Sequence, residues 1–222
     1  MRPFMLALPL LALPLLLPTA AHADRTALDD VPASLRRAPA GGALGEKDAE
    51  KLLERKILVE QTDATDGGVK TVSAATIIDA TPAQIFHVLR DYAHFPEFMP
   101  YLKSATVDQH EGKRWLVSYV IRGPMGIGDR DYQLEVFDEQ QKVDGVDVLV
   151  SRQAYTKKGN INDTHAVWKL IPIQGGKATF VRYETRTDIG GSFPMWMKNK
   201  TAAGALPKVM EAIRKRAPSA AK

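Results

Sequence analysis

The 222-residue sequence has no cysteine. That absence excludes disulfide stabilisation, a thiol nucleophile and thiolate metal sites. Excess charge is also scarce. Thirty Lys and Arg stand against 26 Asp and Glu, a formal net charge of +4, and so small a surplus gives no reason to expect nucleic acid as a partner. Catalytic signatures are missing: there is no Gly-x-Ser-x-Gly, no His-Glu-x-x-His and no phosphate loop. Past the N-terminal residues no apolar run reaches the ~20 residues of a membrane span. What remains, 45% hydrophobic and 25% charged, is the composition of a globular domain with a core.

The N-terminus has a three-part pattern. Met1-Arg2 brings a positive charge, residues 4–17 are only apolar residues and proline, and Ala21-His22-Ala23 is small-x-small. This predicts a cleaved signal peptide over residues 1–23 and a periplasmic or secreted protein. Residues 24–45, rich in Ala, Pro and Gly without apolar periodicity, predict a flexible leader, and residues 217–222 a disordered tail. The folded domain is then expected over residues 46–216.

Within it, residues 46–56 have helix-forming composition, and 57–62 and 69–79 read as a hairpin across a turn at 63–68. Thr81-Pro82 opens a helix, with Ile85, Phe86, Val88 and Leu89 as its apolar face. Pro96 is expected to end it, leaving residues 95–100 non-helical. The period then changes to two. Strands are predicted near 103–110, 113–122, 130–138, 145–155, 164–173 and 177–187, with turns that include 138–142 and 157–162. A last helix over 193–216 carries Trp196, Ala203, Leu206, Met210 and Ile213 as one stripe, with Pro207 inside. The fold class is α+β: six to eight antiparallel strands, curved, with one face covered by a long helix and a cavity between them.

Few residues point to chemistry. His87 and His94 stand seven apart across the expected end of a helix and are not read as metal ligands, and no metal or cofactor is expected. Gly123-Pro124-Met125-Gly126-Ile127-Gly128 precedes a strand, which suits a loop better than a nucleotide site. Asp129-Arg130-Asp131 reads as a structural ion pair. Phe193, Met195, Trp196 and Met197 suit an apolar ligand or a bilayer edge, and Lys198 and Lys200 beside them predict transient contact with an anionic membrane surface.

Three segments carry a resemblance. Residues 80–92, continuing through Phe95-Pro96-Glu97-Phe98-Met99-Pro100, resemble the first long segment of the START-like (SRPBCC) superfamily, which comprises StAR-related lipid transfer and polyketide cyclase-like proteins. Gly128-Asp129-Arg130-Asp131-Tyr132 and the run from Gly190 to Trp196, with Leu206-Pro207, are similar to later motifs of its lipid-transfer members. Asp91-Tyr92 through Lys103-Ser104 also resembles the coenzyme Q-binding branch. The resemblance implies a helix-grip fold, a curved antiparallel sheet around a long C-terminal helix, with an apolar tunnel. It implies carriage or sensing of a hydrophobic small molecule, most simply a lipid: sterol, hopanoid, phospholipid or quinone-like. The strand over 113–122 offers Val117, Tyr119 and Ile121 on one face with no acid among them, so no buried ion pair gripping a ligand hydroxyl is expected there.

The expected ligand-binding residues are Val117, Tyr119, Ile121, Met125, Tyr132, Leu134, Val148, Trp168, Val181, Tyr183, Phe193, Trp196, Ala203 and Met210. No catalytic residue is expected. The alternative is a cyclase- or hydrolase-type enzyme using His165 or Asp131 as a base in the same cavity. A third reading is a non-catalytic adaptor in an envelope complex.

Overall fold

A computed structural model describes residues 26–64, 68–123, 128–192 and 194–220. Eight strands make one antiparallel sheet: β1 (Leu58–Thr62), β2 (Thr71–Ile78), β3 (Leu102–Glu111), β4 (Arg114–Ile121), β5 (Arg130–Val143), β6 (Val146–Gly159), β7 (Asp163–Ile173) and β8 (Ala178–Asp188). Their spatial order is β1-β2-β8-β7-β6-β5-β4-β3. The meander β3 to β8 therefore has the β1–β2 hairpin added beyond its last strand. The β2–β3 connection must cross the whole sheet, and it carries α2 (Pro82–Val88) and the single-turn α3 (Phe95–Phe98). The long C-terminal helix α4 (Met195–Arg216) returns over the same face, while α1 (Glu46–Leu53) precedes β1. This is the curved helix-grip α+β architecture. Among the described residues no helix is long and apolar enough to cross a membrane.

Local chemistry explains the element starts. Thr81 accepts a bond from the Gln84 backbone N–H while the Gln84 side chain accepts one from the Thr81 N–H, and Pro82 fills the first turn of α2. That helix stops at Val88, and Pro96 sits in the first turn of α3. The expectation of no helix over 95–100 is thus corrected: proline costs nothing where the N–H has no intrahelical acceptor. The expected turn at 138–142 is strand, and so is the start of the one at 157–162. The β5–β6 hairpin instead turns at Asp144-Gly145, both at positive φ (47° and 85°), as a two-residue Asp-Gly turn requires.

Core residues occupy both faces of the sheet. On one, Val72, Ala74, Ile78, Trp168, Leu170 and Val181 pack against Ile85, Val88 and Leu89 and against Leu206, Met210 and Ile213 of α4. On the other, Ala75, Ile77, Val148, Val150, Ile171 and Phe180 pack against Leu52 of α1 and against Ala27, Leu28 and Val31. The described part of the expected flexible leader, residues 26–45, is therefore a packed cover. Arg182 holds it, donating to the carbonyls of Leu35, Ala38 and Pro39 at 3.0 Å each. Ala217 in the expected tail is fully buried against the α2–α4 cluster. Residues 1–23, expected to be a signal peptide, lie outside the described residues.

Candidate functional site: a cavity between the sheet and the C-terminal helix

Alternation along β4, β5, β7 and β8 turns four aromatic rings toward the helices. Tyr119 of β4 and Tyr132 of β5 are register partners, their ring centroids 5.6 Å apart. Trp168 of β7 and Tyr183 of β8 are also partners, stacked at 3.9 Å. Together with Ile121, Leu134 and Gln153 they form the sheet side of a cavity of about 150 Å³. Leu89, Phe95, Met99, Pro100, Leu102 and Val209 of α4 close the other side.

The structure thus brings Tyr119, Ile121, Tyr132, Leu134, Trp168 and Tyr183 into one cavity. Val117 is buried beside them with Tyr92 and Phe95. Val181 and Met210 are fully buried in the neighbouring core, and Ala203 packs against that core. Two expectations are corrected. Val148 faces away from the helices, buried with Val150 and Phe180 on the opposite face. Trp196 is 64% exposed and is not part of this cavity's lining. Met125 and Phe193 lie outside the described residues.

The polar groups of the cavity are neutral. Among the described residues neither the hydroxyls of Tyr119 and Tyr132 nor the Gln153 side-chain amide has a hydrogen-bond partner. Burial pushes the Tyr119 and Tyr132 phenols well above their ordinary range and that of Tyr183 up to about 12. All three stay protonated at neutral pH, available as donors.

Next to the cavity lies the charge that the strand 113–122 does not supply. Arg90, just past α2, makes a two-pronged ion pair with Asp138 of β5. It also donates to Ser151 Oγ at 3.0 Å and to the Leu89 carbonyl at 2.8 Å, and its guanidinium lies 4.5 Å from the Phe86 ring centre. The pair cancels its own charge and adds none to the cavity.

The residues missed by sequence reading come from irregular or ambiguous segments. Leu89, Phe95, Met99, Pro100 and Leu102 belong to the crossing connection and the strand start after it. Val209 lies beside the 203/206/210/213 stripe, not in it. Gln153 could have been found: it sits at the register position opposite Val136 and Ala166, both buried.

Other candidate groups stand away from the cavity. His165 and Asp131 are exposed on the opposite face, His165 Nε2 lying 3.2 Å from Asp163. Neither can reach a molecule in the cavity. Arg130 does not pair with its flanking acids; it donates to the Ile189 and Gly128 carbonyls, while Asp129 pairs with Lys103. Lys198, expected at a membrane edge, is 9% exposed and bonded to Asp188 at 2.7 Å. Outside α4, Ile57, Phe98, Pro100, Pro207, Lys208 and Ala212 line an open groove of about 740 Å³ that shares Pro100 with the cavity. Among the described residues no three His, Asp or Glu side chains converge as a metal would need.

Solved structures share this fold. The architecture matches a STAR-related lipid transfer protein from Xanthomonas axonopodis with a TM-score of 0.65 at 19% identity, covering 73% of this chain and 93% of that one. It matches human STARD10 (0.60, 15% identity, 73% and 69% coverage) and human StAR-related lipid transfer protein 5 (0.60, 10%, 73% and 82%). At such identities the likeness is one of fold. No curated protein matches the sequence. The sequence itself matches the family model for polyketide cyclase/dehydrase and lipid transport over residues 78–214, from the end of β2 through α2, the cavity strands and most of α4. The chain belongs to that family.

Proposed function

We propose that the protein binds a neutral, largely apolar small molecule in this cavity and carries or senses it in the periplasm or outside the cell. The observation that carries the reading is the pairing of an aromatic-lined wall with neutral donors at Tyr119, Tyr132 and Gln153 that have no partner among the described residues. Apolar contact supplies affinity at ~25 cal/mol per Å² buried before ordering costs. The hydroxyls and the amide fix orientation. A sterol, hopanoid or quinone-like molecule, with a hydroxyl or carbonyl end, suits such donors. A phospholipid would bring a charged headgroup to a cavity whose described lining carries no charged side chain.

The cavity of about 150 Å³ is smaller than the ~300–1,000 Å³ of ordinary ligand sites. Binding therefore requires the helix wall to move outward. That wall is the weaker one: Pro207 lies within α4 and Pro194, with no side-chain cap, precedes it. Proline removes one hydrogen bond of the helix ladder. Exposed Trp196 and Lys200 at the same end of α4 suit transient contact with an anionic membrane surface, where an indole is at home.

Non-catalytic binding fits a site with neutral phenols and without His165 or Asp131. Transfer of a fluorescent sterol between vesicles, with product analysis of the recovered sterol, tests this reading. Unaltered sterol, transferred faster with the protein and more slowly with Trp196→Ala, is expected. A chemically changed product would establish an enzyme instead, and no acceleration would remove the carrier role.

A further inference from the structure

On the face of the sheet away from α4, three cations converge. Arg152 stands on β6, Lys169 on β7 and Arg182 on β8. Lys169 and Arg182 are register partners, and Arg152 is two residues beyond Val150, the partner of Lys169 on β6. Like charges placed directly across a ladder destabilise it. Two of the three have fixed partners. Arg152 bonds to Glu139 at 3.0 Å, and Arg182 is committed to the three leader carbonyls. Lys169 is half-buried, and among the described residues its ammonium has neither an ion-pair partner nor a hydrogen-bond acceptor. Burial and the two guanidiniums push its pKa down, with Glu184 opposing.

The cluster is recessed. Pro39 of the leader roofs a depression of about 190 Å³ lined by Arg152, Val167, Lys169, Arg182 and Glu184. Its lining carries three positive side chains and one negative one. The Lys169 ammonium is only half withdrawn from water, and an oxyanion between it and the guanidiniums would offset their mutual repulsion and give the ammonium an acceptor.

We infer that this depression is an oxyanion site for phosphate or a phosphate monoester, free in solution or carried as a lipid headgroup. It is separate from the hydrophobic cavity and does not depend on the reading of that cavity. Because Arg182 also grips the leader at Leu35, Ala38 and Pro39, bound phosphate would hold that cover more tightly on the sheet.

The test is titration of the full chain with inorganic phosphate at constant ionic strength, followed by calorimetry and thermal unfolding. Vesicles with and without phosphatidic acid form a second arm. Phosphate is expected to raise the unfolding temperature above chloride. Lys169→Met should weaken phosphate binding at least about tenfold, the scale of one charge-assisted hydrogen bond. Without phosphate the same variant should be no less stable than the parent, since a repulsive charge is gone. Glu184→Gln should tighten binding. Response to inorganic phosphate assigns a free anion; response to phosphatidic acid vesicles alone, lost in Lys169→Met, assigns a headgroup. Equal response to phosphate and chloride with no vesicle binding, or binding unchanged in both variants, would overturn the site.

Discussion

Arg90 and Asp138 meet on the helix-covered face of the sheet with side chains only 11% exposed each. The two bonds run from Nε to Oδ2 and from Nη2 to Oδ1, so the fork of the guanidinium matches the carboxylate. The pair ties the crossing connection, where Arg90 lies, to β5. Asp138→Ala leaves a buried cation and should cost about 3–5 kcal/mol by chemical denaturation. The double variant Arg90→Met/Asp138→Leu removes both charges and should cost less than the sum of the single changes. Additive losses would mean that the pair is not a coupled unit.

Gly159 should be intolerant of a side chain. It sits at φ +135° opposite Tyr132, and an added Cβ would overlap the Asp131 carbonyl and the Tyr132 backbone. Gly159→Ala must displace β5 where Tyr132 enters the cavity wall. Large destabilisation is expected, together with changed near-ultraviolet circular dichroism from the tyrosines. Gly175→Ala, where an added Cβ meets nothing within 4 Å, serves as a control: it carries only the strain of positive φ.

The phenols set an alkaline limit. Tyr119, Tyr132 and Tyr183 ionise above the ordinary value of 10.0, chiefly because burial disfavours the phenolate. A folded pKa above the unfolded one means that this contribution is complete below pH 10 and is lost as pH rises through the folded values, near 12 for Tyr183. Phenolate absorbance should therefore show late-titrating tyrosines that ionise together with unfolding. Full reversible ionisation of all six tyrosines near pH 10 in folded protein would contradict the buried wall.

Removal of the Arg182 guanidinium should free the cover. Arg182→Gln loses most of the three bonds to Leu35, Ala38 and Pro39, each worth about 1.5–3 kcal/mol for a charged donor before solvent screening at this half-buried site. Limited proteolysis should then cut within residues 31–42 before the rest of the domain. An unchanged cleavage order would show that apolar packing alone holds the segment.

Much of this fold was legible in the sequence because one physical signal was strong. At Tyr132/Leu134 the polar neighbours Asp131 and Gln133 make the alternation clear, and the structure turns that face toward the helices; on the strand over 113–122 both faces are partly apolar, so alternation separates them only weakly. At β6 it could not separate them. Val146, Val148 and Val150 alternate with Leu149, and the strand is apolar on both sides because the sheet is covered on both sides. The same two-sided pattern in Ala74, Ala75, Ile77 and Ile78 was the available sign that a second cover exists. Residues 26–45 supply that cover with no helical or strand period, so composition alone made them look like linker. Trp196 fits the α4 stripe by spacing, yet it stands in the first turn, 64% exposed and away from the core. The Arg90–Asp138 pair joins residues 48 positions apart, a distance that no local pattern spans.

The cavity claim has one most direct test. Native mass spectrometry of the purified protein, with extraction of bound molecules, should be run beside Leu134→Trp, which fills the cavity from β5. The parent should carry, or take up on exposure to a sterol or quinone, one neutral hydrophobic molecule per chain, and the filled variant should carry far less while retaining its fold. Equal occupancy in the two proteins would place the ligand elsewhere and contradict the account.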